Sequence, residues 1–245
     1  MQPLRESFRV RSYEVDPRRR LALRALCAYL QEAAGLHAAR LGASMERLAE
    51  SGLAWVLHRM KVELAECPRQ GDELEVVTWP SGFDRVLADR EFEVFRGSAR
   101  VAAATTRWAV ADVRARRPVR MPEFIQALAV GERLAGLAID RGDLPAPSGP
   151  PAATRTFAVR LSDLDVVGHV NNTQYVGWVA ETVPEEALAG WPTALEIVYR
   201  QEARYGDVVV SESAPLGSGG LAFAHALRRQ ADGAELARAL TRWTR

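Results

Sequence analysis

The chain has 245 residues, 48% hydrophobic and 26% charged, the proportions of a folded globular protein, and room for one large domain or two of roughly 120 residues. Its 32 basic and 31 acidic side chains nearly cancel, which excludes a global field aimed at nucleic acid or an anionic membrane; an acidic partner would have to meet a local patch. Cys27 and Cys67 make neither a disulfide framework nor a ligand set. His37, His58, His169 and His225 lie far apart without an HExxH spacing, so neither metal nor cofactor is expected. The opening MQPLRESFRV has no apolar signal region and no apolar run is long enough to span a bilayer, so the expectation is a cytoplasmic protein.

In chain order, residues 8–15 read as an opening strand. Leu23, Leu26, Cys27, Leu30, Ala33, Ala34, His37 and Leu41 then recur at the spacing of one helical face. An apolar segment with Trp55, Leu57 and Met60 comes next. Residues 74–79 alternate in part, 90–96 (REFEVFR) alternate cleanly, and 101–110 continue the strand pattern. Met121-Pro122 opens a predicted connecting helix to about residue 139, with Pro where its missing N–H costs nothing. Residues 142–155, rich in Pro and without apolar periodicity, read as an extended linker. A second strand (157–164) leads to a shorter helix beginning near Tyr175 and limited by Pro184, then to strands at 195–199, 208–213 and 222–228. A helix followed by a run of strands, twice, argues for an α+β fold with antiparallel sheet.

The two halves are similar in sequence. Shifting by 149 positions places Phe8, Asp16, Tyr29 and Glu32 on Phe157, Asp165, Trp178 and Glu181. Shifting the later part by 135 places Gly71-Asp72 on Gly206-Asp207, and Thr106-Arg107-Trp108 on Thr241-Arg242-Trp243. The ordered matches indicate a tandem duplication. They divide the chain into residues 1–141, the linker, and residues 156–245.

Residues 163–178, DLDVVGHVNNTQYVGW, hold the densest polar cluster. Where the second half has Asp165, His169, Asn171 and Asn172, the first has Asp16, Arg20, Ala22 and Leu23, so a single site in the second half is expected. A strand-to-helix elbow leaves N–H groups unpaired beside the positive end of the helix dipole, where they can stabilise an oxyanion. Gly168 permits a tight turn, Asp165 offers a base or nucleophile, and His169 titrates near neutrality. Asn171 and Asn172 are also good N-caps.

This stretch resembles the signature of the acyl-acyl-carrier-protein thioesterases, and more broadly of hotdog thioesterases. Residues 71–79 (GDELEVVTW), 98–108 and 198–202 (VYRQE) extend the likeness over most of the chain. The resemblance implies two tandem hotdog domains, each a helix wrapped by an antiparallel sheet, and release of free fatty acid from acyl carrier protein in fatty acid biosynthesis. It further implies Asp165 and His169 as catalytic residues, with Glu202 on a facing strand completing a water-activating network. Gly168, Asn171 and Asn172 would position the substrate and its oxyanion. The chain departs from the pattern at Val167, where an Asn is usual, and at Ala203, where a Cys is common; a Cys–His mechanism therefore has no thiol in place. Hydrolysis of acyl-CoA, or acyl binding with weakened catalysis, is the alternative.

With one catalytic half, the first half's groove is expected to hold the acyl chain, with Leu26, Leu30, Ala33, Ala34, Trp55, Leu57 and Met60 as candidate lining. Arg114, Arg116, Arg117 and Arg120 form the densest basic run and are candidates for docking the acidic carrier; Arg18, Arg19 and Arg20 form a second run. A homodimer joined through sheet edges is a further expectation.

Overall fold

A computed structural model describes residues 2–134, 137–140, 142–217 and 221–244. Its first half comprises β1 (Leu4–Arg9), α1 (Leu23–Arg40), α2 (Met45–Ala49), β2 (Leu53–Leu64), β3 (Glu73–Phe83), β4 (Leu87–Arg96), β5 (Ala99–Asp112), β6 (Arg117–Pro118) and α3 (Glu123–Gln126). The second comprises β7 (Ala153–Ala158), α4 (Asn172–Ala180), α5 (Glu185–Leu188), β8 (Pro192–Tyr199), β9 (Val208–Pro215), β10 (Ala222–Arg229) and β11 (Glu235–Trp243).

Among the described residues the strands form one antiparallel sheet in the order β1-β3-β4-β5-β2-β8-β11-β10-β9-β7, with β6 beside β5. The halves meet where β2 pairs β8, with Met60 opposite Ile197 and Val62 opposite Leu195. The two longer helices lie against each other, and one apolar core runs through both halves. Leu26 and Leu30 of α1 and Val176 and Val179 of α4 pack there with Phe92 and Ile197 of the sheet, all buried. The predicted apolar face of α1 is the buried one, with Leu41 capping its end at partial exposure. This is the expected α+β architecture of two tandem hotdog units.

The duplication survives as repeated contacts. Phe8 stacks on Tyr29 with ring centroids 4.6 Å apart, and Phe157 stacks on Trp178 at 5.7 Å. The N–H of Arg11 donates to Glu14 Oε2 and that of Arg160 to Asp163 Oδ2, both at 2.8 Å. These turns explain why the opening strands stop at Arg9 and Ala158, short of the predicted 15 and 164.

Other expectations need correction. The connecting helix predicted over 122–139 is a single turn, α3; residues 135–136 of that range lie outside the described residues. The chain beyond α3 is held across the sheet instead. Gly131 donates its N–H to the Pro80 carbonyl, the Trp79 indole donates to the Glu132 carbonyl, and a Cβ on Gly131 would come within 2.4 Å of the Trp79 ring. That docking outweighs helical periodicity. The last residues of the predicted linker, from Ala153, belong to β7. β2 and β11 escaped the sequence reading; β2 lies in the middle of the sheet, and its run LAWVLHRMKVEL has no period of two.

Because the core is continuous, truncation at the seam should weaken both halves together. Ile197→Ala should cost about 2–5 kcal/mol and leave one cooperative denaturant transition. Two separated transitions would show that the halves fold independently.

Candidate active site

The elbow before α4 is a closed turn. Asp165 donates its N–H to the His169 carbonyl (2.8 Å), and Gly168 donates to the Asp165 carbonyl (3.0 Å). Asp165 Oδ1 accepts from the N–H groups of Val167 (2.9 Å) and His169 (3.2 Å). Gly168 sits at φ +84°, a conformation open to glycine at little cost. The first half repeats this turn. Asp16 donates to the Arg20 carbonyl, its Oδ1 accepts from the N–H groups of Arg18 (2.8 Å) and Arg20 (2.9 Å), and Arg19 takes φ +60° in the place of Gly168. The aspartate is therefore shared scaffold, which corrects the expectation of a polar cluster confined to one half.

The divergence lies one step further. In the first half, Arg20 Nε donates to Asp16 Oδ2 (2.7 Å). The same guanidinium reaches the carbonyls of Leu188, Ala189 and Gly190, filling the space beside the turn. In the second half the equivalent residue is His169, whose Nε2 lies 3.1 Å from Glu202 Oε2. Asp165 Oδ2 is left without a protein partner among the described residues. The isolated strand-like bridges agree with this correspondence: Arg20 pairs with Arg69, and His169 with Arg204. By the same repeat, Glu202 stands where the first half has Cys67.

Glu202 is not on a strand, as the resemblance implied, but in the loop after β8. Contacts from α4 and β10 hold that loop. The Ala203 N–H donates to the buried Tyr175 hydroxyl (2.8 Å), and Arg229 donates to the Glu202 carbonyl (2.8 Å). Glu202 Oε1 accepts from Arg204 (2.6 Å) and from Arg116, which belongs to the first half. Of the residues singled out in sequence, the fold thus brings His169 and Glu202 into contact. Asp165 is joined to His169 through the backbone of the turn. Arg116, Arg204 and Tyr175 also belong to this site, although the sequence places Arg116 in a basic run and Tyr175 at a helix start, and no local pattern marks Arg204.

The N–H groups of the elbow are mostly spent. Gly168 and His169 donate within the turn, Val170 donates to the Ala203 carbonyl, and Asn171 to the Asp163 carbonyl. Of residues 168–172, only Asn172, at the first turn of α4, has an N–H without an acceptor among the described residues. Asn171 is the N-cap: its Oδ1 accepts from the N–H (2.9 Å) and hydroxyl (2.8 Å) of Thr173. Of the N–H groups expected at 168–172, that of Asn172 is thus the one left unspent, and the Asn172 side-chain amide has no protein partner among the described residues.

Asn172 also lines an apolar cavity between the halves, with Cys27, Leu30, Leu57, Met60, Phe92 and Trp108 among its walls. Its free space is about 10 Å³, the room of one water molecule. Among the expected lining residues, Leu30, Leu57 and Met60 face it. Leu26, Ala33 and Ala34 are plain core. Trp55 packs edge-on against Trp108, its indole donating to the Ala43 carbonyl.

Partial burial lowers the His169 pKa below its ordinary value; Asp165 opposes this, and Arg204 and Arg116 reinforce it. These surroundings favour the neutral imidazole. His225 is a contrast. Burial pushes it down to about 3, and it is satisfied by Thr182 and Thr241 inside the core, a structural histidine.

Comparison with known proteins bears on the whole chain. The family model described as acyl-ACP thioesterase N-terminal domain matches residues 2–128, and that of the acyl-ACP thioesterase C-terminal domain matches residues 151–245. An oleoyl-acyl carrier protein thioesterase, chloroplastic, of Coriandrum sativum is 28% identical over 98% of this chain and 76% of its own length. A palmitoyl-acyl carrier protein thioesterase, chloroplastic, of Cuphea hookeriana is 29% identical over 98% of this chain, which spans 61% of that relative. The 12:0-ACP thioesterase of Umbellularia californica, a solved structure, superposes with a TM-score of 0.85 at 26% identity, covering 99% of this chain and 97% of its own.

The electrostatics make a direct prediction. An NMR titration of His169 should show a midpoint below about 6.5, the ordinary histidine value. Glu202→Gln, which removes the negative partner of the imidazolium, should lower it further. A midpoint at or above that value in the wild type would contradict the assigned surroundings.

Proposed function

Since the chain belongs to the acyl-ACP thioesterase family, we propose that it hydrolyses the thioester joining a fatty acyl chain to acyl carrier protein, releasing the free fatty acid. The observation that carries this reading is the contact of His169 with Glu202, beside an Asp165 Oδ2 that has no protein partner among the described residues, next to a helix start that borders an apolar cavity.

In this reading Asp165 Oδ2 takes a proton from water, and the oxygen attacks the thioester carbon. The developing oxyanion meets the Asn172 N–H at the positive end of α4. Collapse breaks the C–S bond, and the departing thiolate takes up the proton, so water and thioester become carboxylic acid and thiol. Glu202 accepts the Nε2–H of His169 and fixes the tautomer in which Nδ1 is free to pass protons. Asp165→Asn and Glu202→Gln should each lower kcat by orders of magnitude, on the scale of about 10²–10⁴-fold for a general acid–base group. Near-wild-type rates in both would reject the assignment. Single turnover in ¹⁸O-water tests the nucleophile role open to Asp165: label in its carboxylate marks an acyl-aspartate intermediate opened at the aspartyl carbon.

The acyl chain would enter the cavity beyond Asn172, which requires Leu57, Met60 or Trp108 to turn aside. The carrier would meet Arg114, Arg117 and Arg120, which are exposed and have no carboxylate partner among the described residues; Arg116, turned to Glu202, leaves that set. The second basic run is largely committed to α5, through Arg18 and Arg20. Charge reversal at Arg114 and Arg117 should raise KM for carrier-linked substrate and leave CoA thioesters unaffected. Equal effects on both would reject docking there, and faster turnover of CoA thioesters by the wild type would favour an acyl-CoA thioesterase.

No described helix is long and apolar enough to cross a membrane. We assign the protein to the compartment of its carrier, taken as the cytoplasm, although the named plant relatives are chloroplastic. The free edges β1 and β7 are where a second copy would add to make a homodimer.

A further inference from the structure

We propose that Arg116, supplied by the first half, is a positioning residue for Glu202, so that the active site is completed across the two halves. The inference rests on the role given to Glu202 in the proposed hydrolysis and extends it to a residue that no motif indicates.

Arg116 stands on the turn joining β5 to β6, and its placement is built. Asp112 Oδ1 accepts from the N–H groups of Arg114 and Ala115, each at 2.8 Å, and the Arg116 N–H donates to the Asp112 carbonyl at 2.8 Å. β6 closes the turn by pairing Asp112 with Arg117 and Ala111 with Pro118. Arg116 itself lies at φ +51°, in the left-handed region that non-glycine residues seldom occupy. Of the two such residues among those described, the other is Arg19, in the disarmed turn of the first half. The turn thus projects one guanidinium out of the first half and into contact with Glu202.

The two oxygens of Glu202 then have different tasks. Oε1 is held by Arg116 and Arg204, leaving Oε2 to face His169 Nε2 at 3.1 Å. A carboxylate held at one end by two guanidinium groups is restrained from swinging its free oxygen off the imidazole. The charged and titratable groups facing it are Arg116 from the β5–β6 turn, Arg204 from its own loop, and His169 from the elbow; Arg229 of β10 reaches only its backbone carbonyl. The Arg116 side chain is 61% exposed, so the pair adds little to folding stability. Its effect is on geometry and charge.

The test is Arg116→Ala beside Arg116→Lys and Glu202→Gln, assayed on a carrier-linked and a CoA thioester across pH. Arg116→Ala should lower kcat on both substrates by about tenfold, as a misoriented group does. KM should stay within about twofold. The acidic limb of the kcat profile should move to higher pH, since Arg116 and Arg204 lower the His169 pKa against the opposing Asp165, and loss of Arg116 lets it rise. Lys should recover part of the rate, and Tm should be unchanged. A loss confined to KM for the carrier-linked substrate would make Arg116 a docking residue and overturn the proposal, as would an unchanged kcat. If Glu202→Gln is slow while Arg116→Ala is fast, only the positioning role falls. If Glu202→Gln turns over like wild type, the role of Glu202 fails and this inference fails with it.

Discussion

An aspartate carboxylate that accepts two N–H groups from its own turn builds the same elbow twice in this chain, at Asp16 and at Asp165. Each elbow turns the chain from its opening strand toward a helix, and each needs a residue with positive φ to close, Arg19 in one and Gly168 in the other. Once Oδ1 is committed to the turn, Oδ2 is the only part of the carboxylate left for chemistry. The group that stands four residues on decides what becomes of it. Arg20 neutralises Asp16 and ties its half to the carbonyls after α5; His169 turns to Glu202 and leaves Asp165 open.

The asymmetry between the halves is therefore small in sequence and large in effect. Both retain the elbow, the aromatic stack beneath it and the bridge to the loop after the central strand. One half has become a strut. The other carries the contact of His169 with Glu202, and Arg116 and much of the cavity wall come to it from its neighbour. The continuous core and the β2–β8 pairing keep these contributions in register.

Much of this was legible in the sequence for physical reasons. The face of α1, the alternation of Phe92 and Val94 and the ordered repeat arise from periodicities that burial imposes. The elbow was marked by Asp165, Gly168 and Asn171, residue types with strong turn and capping preferences. The features that escaped depend on contacts distant in the chain. β2 has no alternation because it sits mid-sheet, and the segment after α3 is held by Trp79 and not by its own periodicity. The clamp of Arg116 and Arg204 on Glu202, and the spending of most elbow N–H groups, depend on how loops meet. Comparing the halves singled out His169, the position at which the two elbows differ in their contacts. It misjudged Asp165, because the shared aspartate had been noticed as a repeat match but not recognised as the turn's own structural element.

If the fourth residue after the elbow aspartate decides which half is reactive, exchanging it should silence the second half without unfolding it. His169→Arg does this, giving the second half the residue its counterpart already carries within the same turn. Turnover of an acyl-carrier thioester by this variant should fall by at least about 10²-fold, with Tm unchanged. Turnover close to wild type in the folded variant would show that the residue at this position does not set the difference between the halves.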